Sequence, residues 1–323
     1  MFNKIYSYIL KNKLIPENSK VVLGLSGGPD SVFLLYYFKY FLQNKIQFDF
    51  IAAHLDHEWR EDSFKDIQFC KEICAQLNIS FFYSKASELN LNLKHTGSKE
   101  ELGRNMRRIF FEKIAQEQNA TSIALAHHLQ DQEETFFIRL IRGTTLSGLI
   151  SMKARNGIYI RPLLEINKSE IISYLDKNEI KYLIDPSNDS FEFLRNRIRH
   201  SVIPSLKSCD QRFDGNFLRT LNNLKESEEF LENITKETFK YISEYKNEIY
   251  QIDLQKFFIL DEFLQKRIIF YWLYKTNIRF NLTENFLNEI IRFLANKKSL
   301  NHKIHNEFYI EKKQLYARII KVN

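Results

Sequence analysis

The sequence predicts an α/β protein in which a parallel, doubly wound sheet domain is followed by a smaller α+β, mainly helical domain. Three observations carry this reading. Short β-rich apolar runs alternate with helical patterns through the first half, long polar helical patterns take over after a Pro-containing segment at Val202–Ser208, and 323 residues at about 150 per domain leave room for two cores. The expected domains are residues 1–208 and 209–323. An apolar share of 44% with 27% charged residues, 9 Gly and 5 Pro excludes a disordered chain or a collagen-like fibre.

Each element follows from its pattern. Phe2, Ile5, Tyr6, Ile9 and Leu10 fall at helical spacing, so the chain opens on an amphipathic helix, and the apolar run there is too short for a signal peptide. Val21–Leu25 reads as a buried strand, Val32–Leu42 as a helix, Phe48–Leu55 as a second strand and Asp62–Leu77 as a second helix. Ile79–Ser84 is a third strand, Glu100–Gln116 a helix, and Ser122–Ala126 a fourth strand leading into a helix over Asp131–Ile141. Such alternation predicts parallel strands with helices on both faces and ligands at the carboxyl ends of the strands. In the second half, helical patterns run from Phe213 to about Tyr245, from Phe263 to Tyr274 and from Thr283 to Leu294. Two alternating strands, Lys303–Ile310 and Gln314–Ile320, close as a hairpin around Glu311–Lys313. The aromatic residues of this half are expected in its core rather than on a base-stacking surface.

Charge and cysteine usage narrow the class. The net charge of +7 divides into +4 over residues 1–208 and +3 over 209–323, so neither half is a basic tail and any polyanion must be held by folded elements. No stretch reaches the roughly 18 apolar residues of a membrane helix, since even Val32–Leu42 is broken by Lys39. Cys70, Cys74 and Cys209 are too few and too irregular for a disulfide framework; they suit a reducing compartment and read as small buried residues.

The sharpest chemical signal is Ser26-Gly27-Gly28-Pro29-Asp30-Ser31, between the first strand and the first long helix. Two glycines allow a tight turn and close backbone approach, the amides of a helix start attract an anion, Pro29 fits the first turn, and Ser26 and Ser31 add hydroxyl donors. The loop is neither a Walker A motif nor a G-x-G-x-x-G fingerprint. On residue chemistry alone Asp30 is the first choice for steering Mg²⁺ or reacting phosphates. Arg104 and Arg107, three apart on a helix, suit a phosphate grip. His127 and Asp131, four apart, are expected on one side of a helix at a strand end, where a ligand or Mg²⁺ would lie and a proton could be taken up. Glu133 and Glu134 read as a lure for a cation or as charges on an exposed helix face. Arg195, Arg197 and Arg199, with Lys207 beyond and Glu192 as the nearby acid, read as a nucleic-acid backbone contact or as a salt-bridged structural helix.

The six-residue string resembles the S-G-G-x-D-S pyrophosphate loop (PP-loop) of the N-type ATP pyrophosphatases, which implies ATP binding by Ser26, Gly27, Gly28, Pro29, Asp30 and Ser31 and cleavage between the α and β phosphates. Further strings follow in order: His54-Leu55-Asp56-His57-Glu58-Trp59-Arg60, Glu100 to Arg108, His127 to Thr135, Arg142 to Leu149, Arg161-Pro162-Leu163-Leu164, Asp185-Pro186-Ser187-Asn188 and Arg195 to Arg199. Together they resemble the tRNA(Ile)-lysidine synthetase family, strongly over residues 20 to about 208 and weakly beyond.

The resemblance implies a cytoplasmic ligase. ATP with Mg²⁺ would adenylate O2 of the wobble cytidine of the isoleucine tRNA bearing a CAU anticodon, and the ε-amine of L-lysine would then attack C2 and release AMP. It assigns catalysis to Asp30, Arg104, Arg107, His127 and Asp131, tRNA contact to Arg195, Arg197 and Arg199 and to the second domain, and it implies a homodimer. Departures are Gln130 in place of an acid, Gly103 and Arg108 in place of Ala and Tyr, and one accessory domain, as in the shorter form of the family. A tRNA thiolation enzyme on the same loop is the nearest rival, but its sulfur chemistry needs paired cysteines. A noncatalytic RNA-binding relative is the rival from another class.

Overall fold

A computed structural model of the chain describes residues 1–89, 99–150, 152–184, 193–278, 283–296, 298 and 300–322. They form two compact units, Met1–Leu221 and Asn222–Asn323. The Pro204-containing segment is part of the first unit as a helix, Ile203–Cys209.

In the first unit the chain runs α1 (Phe2–Lys11), β1 (Ser19–Gly24), α2 (Pro29–Tyr40), β2 (Phe48–Asp56), α3 (Phe64–Gln76), β3 (Phe81–Lys85), α4 (Lys99–Glu117), β4 (Ser122–Ala124) and α5 (Leu129–Ile141). It continues through α6 (Leu146–Leu149), β5 (Arg155–Asn156), β6 (Tyr159–Ile160), α7 (Lys168–Lys177), α8 (Leu194–Arg197), a π-helical turn (Ile198–Val202) and α9 (Ile203–Cys209). The sheet order is β3-β2-β1-β4-β6-β5, parallel throughout except for the antiparallel β5–β6 pair at one edge.

Alternation along β1 explains the two-faced packing. Val21 and Leu23 point into a core shared with Ile5 and Ile9 of α1, Phe33 and Tyr37 of α2, Cys70 and Cys74 of α3 and Ile171 and Leu175 of α7. Val22 points the other way, against Phe110, Phe111 and Ile114 of α4. Each large apolar side chain so buried contributes about 1.5–3 kcal/mol. Leu10, expected on the buried stripe of α1, is exposed instead, the contact being made by Ile5 and Ile9 with the partly buried Phe2, Tyr6 and Tyr8. Cys70 and Cys74 are buried as expected, whereas Cys209 ends α9 in solvent.

The chain leaves β1 for β2 and β3 on one side and returns to β4 on the other. The carboxyl ends of β1 and β4 therefore flank the point where strand order reverses, the place where such sheets open a crevice for ligands.

The remaining elements are α10 (Phe213–Ile242), β7 (Ser243–Lys246), β8 (Ile249–Asp253), α11 (Leu254–Phe258), α12 (Glu262–Lys275), α13 (Glu284–Ala295), β9 (Asn301–His305), β10 (Phe308–Lys313) and β11 (Tyr316–Lys321). In the second unit Ile252, Ile304, Ile310, Ala317 and Ile319 of an antiparallel sheet, ordered β7-β8-β11-β10-β9, pack on Ile268, Trp272, Ile290 and Leu294 of the helices. Of the aromatic residues expected in this core, Phe239, Phe257 and Trp272 lie there, whereas Phe230, Tyr241, Tyr245, Phe263, Phe270 and Tyr274 are exposed. Asp253, Asp261 and Thr283 cap α11, α12 and α13 through side chain to backbone hydrogen bonds.

The expected two-stranded hairpin is thus a five-stranded sheet. The first of its two expected strands breaks at Asn306-Glu307 into β9 and β10, and β7–β8 adds a hairpin whose turn residues Asn247 and Glu248 take φ of +50° and +64°.

Candidate active site

The loop after β1 is built by its own side chains. Gly27 takes φ +83°, and a Cβ there would sit 2.8 Å from Cδ1 of Leu183, whose backbone N–H donates to the Gly27 carbonyl at 2.9 Å, so both conformation and space require glycine. The buried Ser31 hydroxyl donates to the Gly28 carbonyl at 3.0 Å and accepts from the Ser26 amide at 3.1 Å, while Ser26 Oγ lies 3.0 Å from Ser31 Oγ. Pro29 occupies the first position of α2 and Asp30 the second. The result is a pre-shaped turn running into a helix start, suited to an anion.

His54 anchors this turn from the neighbouring strand. Its Nδ1 lies 2.8 Å from the carbonyl of Leu25, the residue before the loop, and so carries the proton. Burial keeps the ring neutral by pulling its pKa down. At the end of β2, Asp56 accepts from the Glu58 amide at 2.8 Å and from Ser63 Oγ at 3.1 Å, which folds the following loop. There His57 and Trp59 stack with centroids 4.6 Å apart. Burial and the Arg107 charge hold the His57 pKa down at about 4.

A chain of alternating charges starts at Asp30. Its Oδ2 is 3.5 Å from His128 Nε2 and 3.9 Å from Lys168 Nζ. His128 Nε2 is in turn 3.6 Å from Asp131 Oδ2, which also accepts the His128 backbone N–H at 2.9 Å. Burial opposes charge on His128, but the carboxylates of Asp131 and Asp30 outweigh it and raise the pKa. Burial likewise opposes ionisation of Asp131, yet His128, His127 and Arg195 hold that carboxyl well below the usual range.

Arg195 extends the chain, with Nη2 2.6 Å from Asp131 Oδ1 and Nε 2.6 Å from Glu134 Oε2. Arg199 closes it, with Nε 2.6 Å from Glu134 Oε1 and Nη2 3.2 Å from Oε2. Residues four apart share one face of a helical segment. Arg199, at the start of the π turn Ile198–Val202, therefore meets the carboxylate that Arg195 already holds, while Arg197 is exposed.

The structure revises several expectations here. His127 precedes α5 rather than sharing a helix face with Asp131; His128 is the ring in direct contact with Asp131 and Asp30. His127 still lies within electrostatic reach of Asp131, and burial, with Arg161, Arg195 and Arg107 around it, holds its pKa down at about 4, so its ring is neutral, and its buried Nδ1 has no hydrogen-bond partner among the described residues. Glu133 and Glu134 are fully buried rather than on an exposed face. Glu133 faces Lys207 at 3.4 Å, and Lys207 also binds Asp214 at 2.8 Å. Asp185–Asn188 and Glu192 lie outside the described residues.

Arg104 and Arg107 lie on α4 as expected, both at its surface. Surrounding protein and the charges of Arg104 and Arg195 lower the Arg107 pKa, a sign of crowded cations. Arg161 joins them, its pKa lowered by burial and by Arg104. A cationic group from α4 and the residue after β6 thus stands with the acidic Asp30 and Asp131, the division of charge that a bound nucleoside triphosphate requires.

Asp30 Oδ1 is buried without a hydrogen-bond partner among the described residues. One carboxylate with an open oxygen beside a phosphate loop suits Mg²⁺, which fills the rest of its shell with phosphate oxygens and water. Sequence reasoning gave no role to His128, Lys168 or Gln130; their only sequence signal was position within or after strings already noted.

The sequence profile of the PP-loop domain matches residues 2–206. A tRNA(Ile)-lysidine synthase of Bacillus cereus is 32% identical over 301 residues, covering 90% of this chain and 63% of the relative. The enzyme of that name from Clostridium acetobutylicum is 33% identical over 300 residues, covering 90% and 64%. The chain thus spans somewhat less than two thirds of the length of these curated relatives. Among solved structures, a U34-tRNA thiolase from Methanococcus maripaludis superimposes with a TM-score of 0.58 at 20% identity over 69% of this chain and 78% of that one, a likeness of fold. With a strand order that reverses at β1, a serine-braced glycine loop at that point and a profile match across the unit that holds both, the chain belongs to the PP-loop domain family.

Proposed function

We infer that the chain is an ATP-dependent ligase that joins L-lysine to C2 of the wobble cytidine of the CAU-anticodon isoleucine tRNA, giving lysidine, AMP and pyrophosphate. The observation that carries the reading is the charge chain from the phosphate loop through Asp30, His128, Asp131, Arg195 and Glu134, set beside the cations Arg104, Arg107 and Arg161. The names of the relatives support the substrate.

Cytidine O2 is a poor leaving group until adenylated. In the first step O2 bonds to the α-phosphorus, the bond from that phosphorus to the bridging oxygen breaks, and its electron pair leaves with pyrophosphate. The loop of Ser26–Ser31 holds the triphosphate, and Arg104 and Arg107 offset charge on the phosphoryl oxygens. Asp30 would hold Mg²⁺, which when bound shields the phosphates. In the second step the lysine amine bonds to C2 while the C2–O2 bond breaks and its electron pair leaves with AMP; the amine proton passes to His127, neutral before the step, with the ionised Asp131 beside it to offset the charge gained. Arg197 and the second unit face the tRNA backbone in this reading.

Sulfur transfer is the less supported reading, because burial raises the Cys70 and Cys74 pKa values, the latter to about 12, and keeps both thiols protonated. The test incubates the protein with labelled lysine, Mg-ATP and the CAU-anticodon isoleucine tRNA. Lysine-dependent AMP release with label in the tRNA is expected; tRNA binding with neither AMP nor label overturns the reading.

A further inference from the structure

We propose that Lys168 is a further catalytic residue, the cation that meets the pyrophosphate leaving group, and that Gln130 is the positioning residue that aims it; the assignment rests on the ATP-dependent reading of the loop. Lys168 opens α7, far in sequence from the loop, yet its Nζ lies 3.9 Å from Asp30 Oδ2 in the first turn of α2. Its side chain keeps 38% exposure, so the ammonium can pass from Asp30 to a phosphate oxygen beside it without crossing packed protein. A lysine serves here as a point charge on a long stem.

Four hydrogen bonds fix where that stem begins. Gln130 Oε1 accepts the Lys168 backbone N–H at 2.9 Å, and Gln130 Nε2 donates to Oδ1 of Asn167, the residue before α7, at 3.1 Å. The Leu129 N–H donates to the Ile166 carbonyl at 3.0 Å, and Gln132 Nε2 to the Leu164 carbonyl at 2.6 Å. Segment 164–168 is thereby tied to the first turn of α5, the same turn that carries Asp131 and follows His128. A carboxamide donates and accepts at once, which a carboxylate cannot do, and this accounts for Gln130 where an acid was expected.

As O2 bonds to the α-phosphorus and the bridging P–O bond breaks, negative charge grows on the departing pyrophosphate, and an ammonium already placed there lowers the barrier. The test uses the full chain with Mg-ATP, lysine and the CAU-anticodon tRNA, together with binding of ATP and of AMP without tRNA. Lys168→Ala is expected to lower kcat by about 100-fold, to weaken ATP about tenfold and to leave AMP nearly unchanged. Lys168→Arg should recover most of the loss. Gln130→Ala should cost about tenfold in kcat/KM for ATP, and the double variant should be no worse than Lys168→Ala alone.

Multiplying effects in the double variant would overturn Gln130's role. Unchanged kcat and ATP affinity in Lys168→Ala would reduce its contact with Asp30 to a surface ion pair, and equal weakening of AMP would remove it from the leaving group. If the wild-type protein forms no lysidine, the substrate reading fails, while the ATP and AMP arms still judge Lys168.

Discussion

Gly103 on α4 lies against the indole of Trp59, so closely that a Cβ at position 103 would fall 2.5 Å from Cη2 and 2.8 Å from Cζ2 of the ring. A glycine inside a helix costs about 1 kcal/mol relative to alanine, and here the close approach is its reason. Gly103→Ala should therefore fail to stabilise the protein, because displacing Trp59 from its stack on His57 costs about 1–3 kcal/mol. In a Trp59→Leu background the same substitution should stabilise by up to about 1 kcal/mol. Chemical denaturation of the four proteins checks the change of sign, and equal effects in both backgrounds would show that the ring does not set the residue.

Asp30→Ala should abolish turnover, by about 100-fold or more, and largely spare tRNA binding. Its carboxylate faces His128 and Lys168, whereas the proposed tRNA contact is the exposed Arg197. Initial rates of AMP release and filter binding measure the two separately; wild-type turnover in the variant would remove Asp30 from the mechanism.

Glu134 has no exposed surface and takes both Arg195 and Arg199. Glu134→Ala would leave Arg195 to Asp131 and take from Arg199 its contact with this carboxylate, and should cost about 1–3 kcal/mol in urea unfolding. A loss below about 1 kcal/mol would mean that water satisfies the arginines as well as the carboxylate does.

Glu133 is buried, and the loss of water raises its pKa to about 8 despite Lys207. Between the ordinary value of about 4.5 and about 8 the folded state holds a proton that the unfolded chain releases, so stability falls as pH rises through this window. The slope from this group reaches at most about 1.4 kcal/mol per pH unit. Glu133→Gln should flatten the profile and raise stability at pH 8, as read from denaturant midpoints at pH 5 and pH 8. An unaltered profile would show that Lys207 keeps Glu133 ionised.

Arg197→Ala should reduce the dependence of tRNA affinity on salt by about 0.7–0.9 in the slope of log K against log salt concentration, the share of one phosphate contact. Titration between 50 and 200 mM salt, the range in which about that behaviour is usually read, gives the slope directly; an unchanged slope would leave Arg197 off the RNA.

Much of the fold was legible because its signals are local. Val21–Leu25 and Phe48–Leu55 are predominantly apolar runs, the latter interrupted by Asp49 and His54, as strands covered on both faces tend to be, and the loop from Ser26 to Ser31 is contiguous. The β7–β8 hairpin was not legible, since Asn247-Glu248 lacks the usual glycine and Ser243–Lys246 is polar. The two-residue strands β5 and β6 are too short to leave a period.

Within the site, the residue types were visible but their partners were not. Nothing near Glu134 announces that Arg195 and Arg199, more than sixty residues later, will bury it, and adjacent histidines cannot be told apart until the start of α5 places His128 rather than His127 on Asp30. Gln130 and Lys168 come from separate segments and meet only through the packing of α5 and α7.

The π turn at Ile198–Val202 also makes chain length a functional variable. Removing one residue between Arg195 and Arg199 would tighten the turn and swing Arg199 by roughly 100° around the helix axis. A deletion of Asn196 or Ile198, far in sequence from the phosphate loop and conserving every charged group, would act on Glu134 as though an arginine had been lost. Insertions and deletions in this stretch should therefore be far less tolerated than substitutions at the exposed Arg197 between the two.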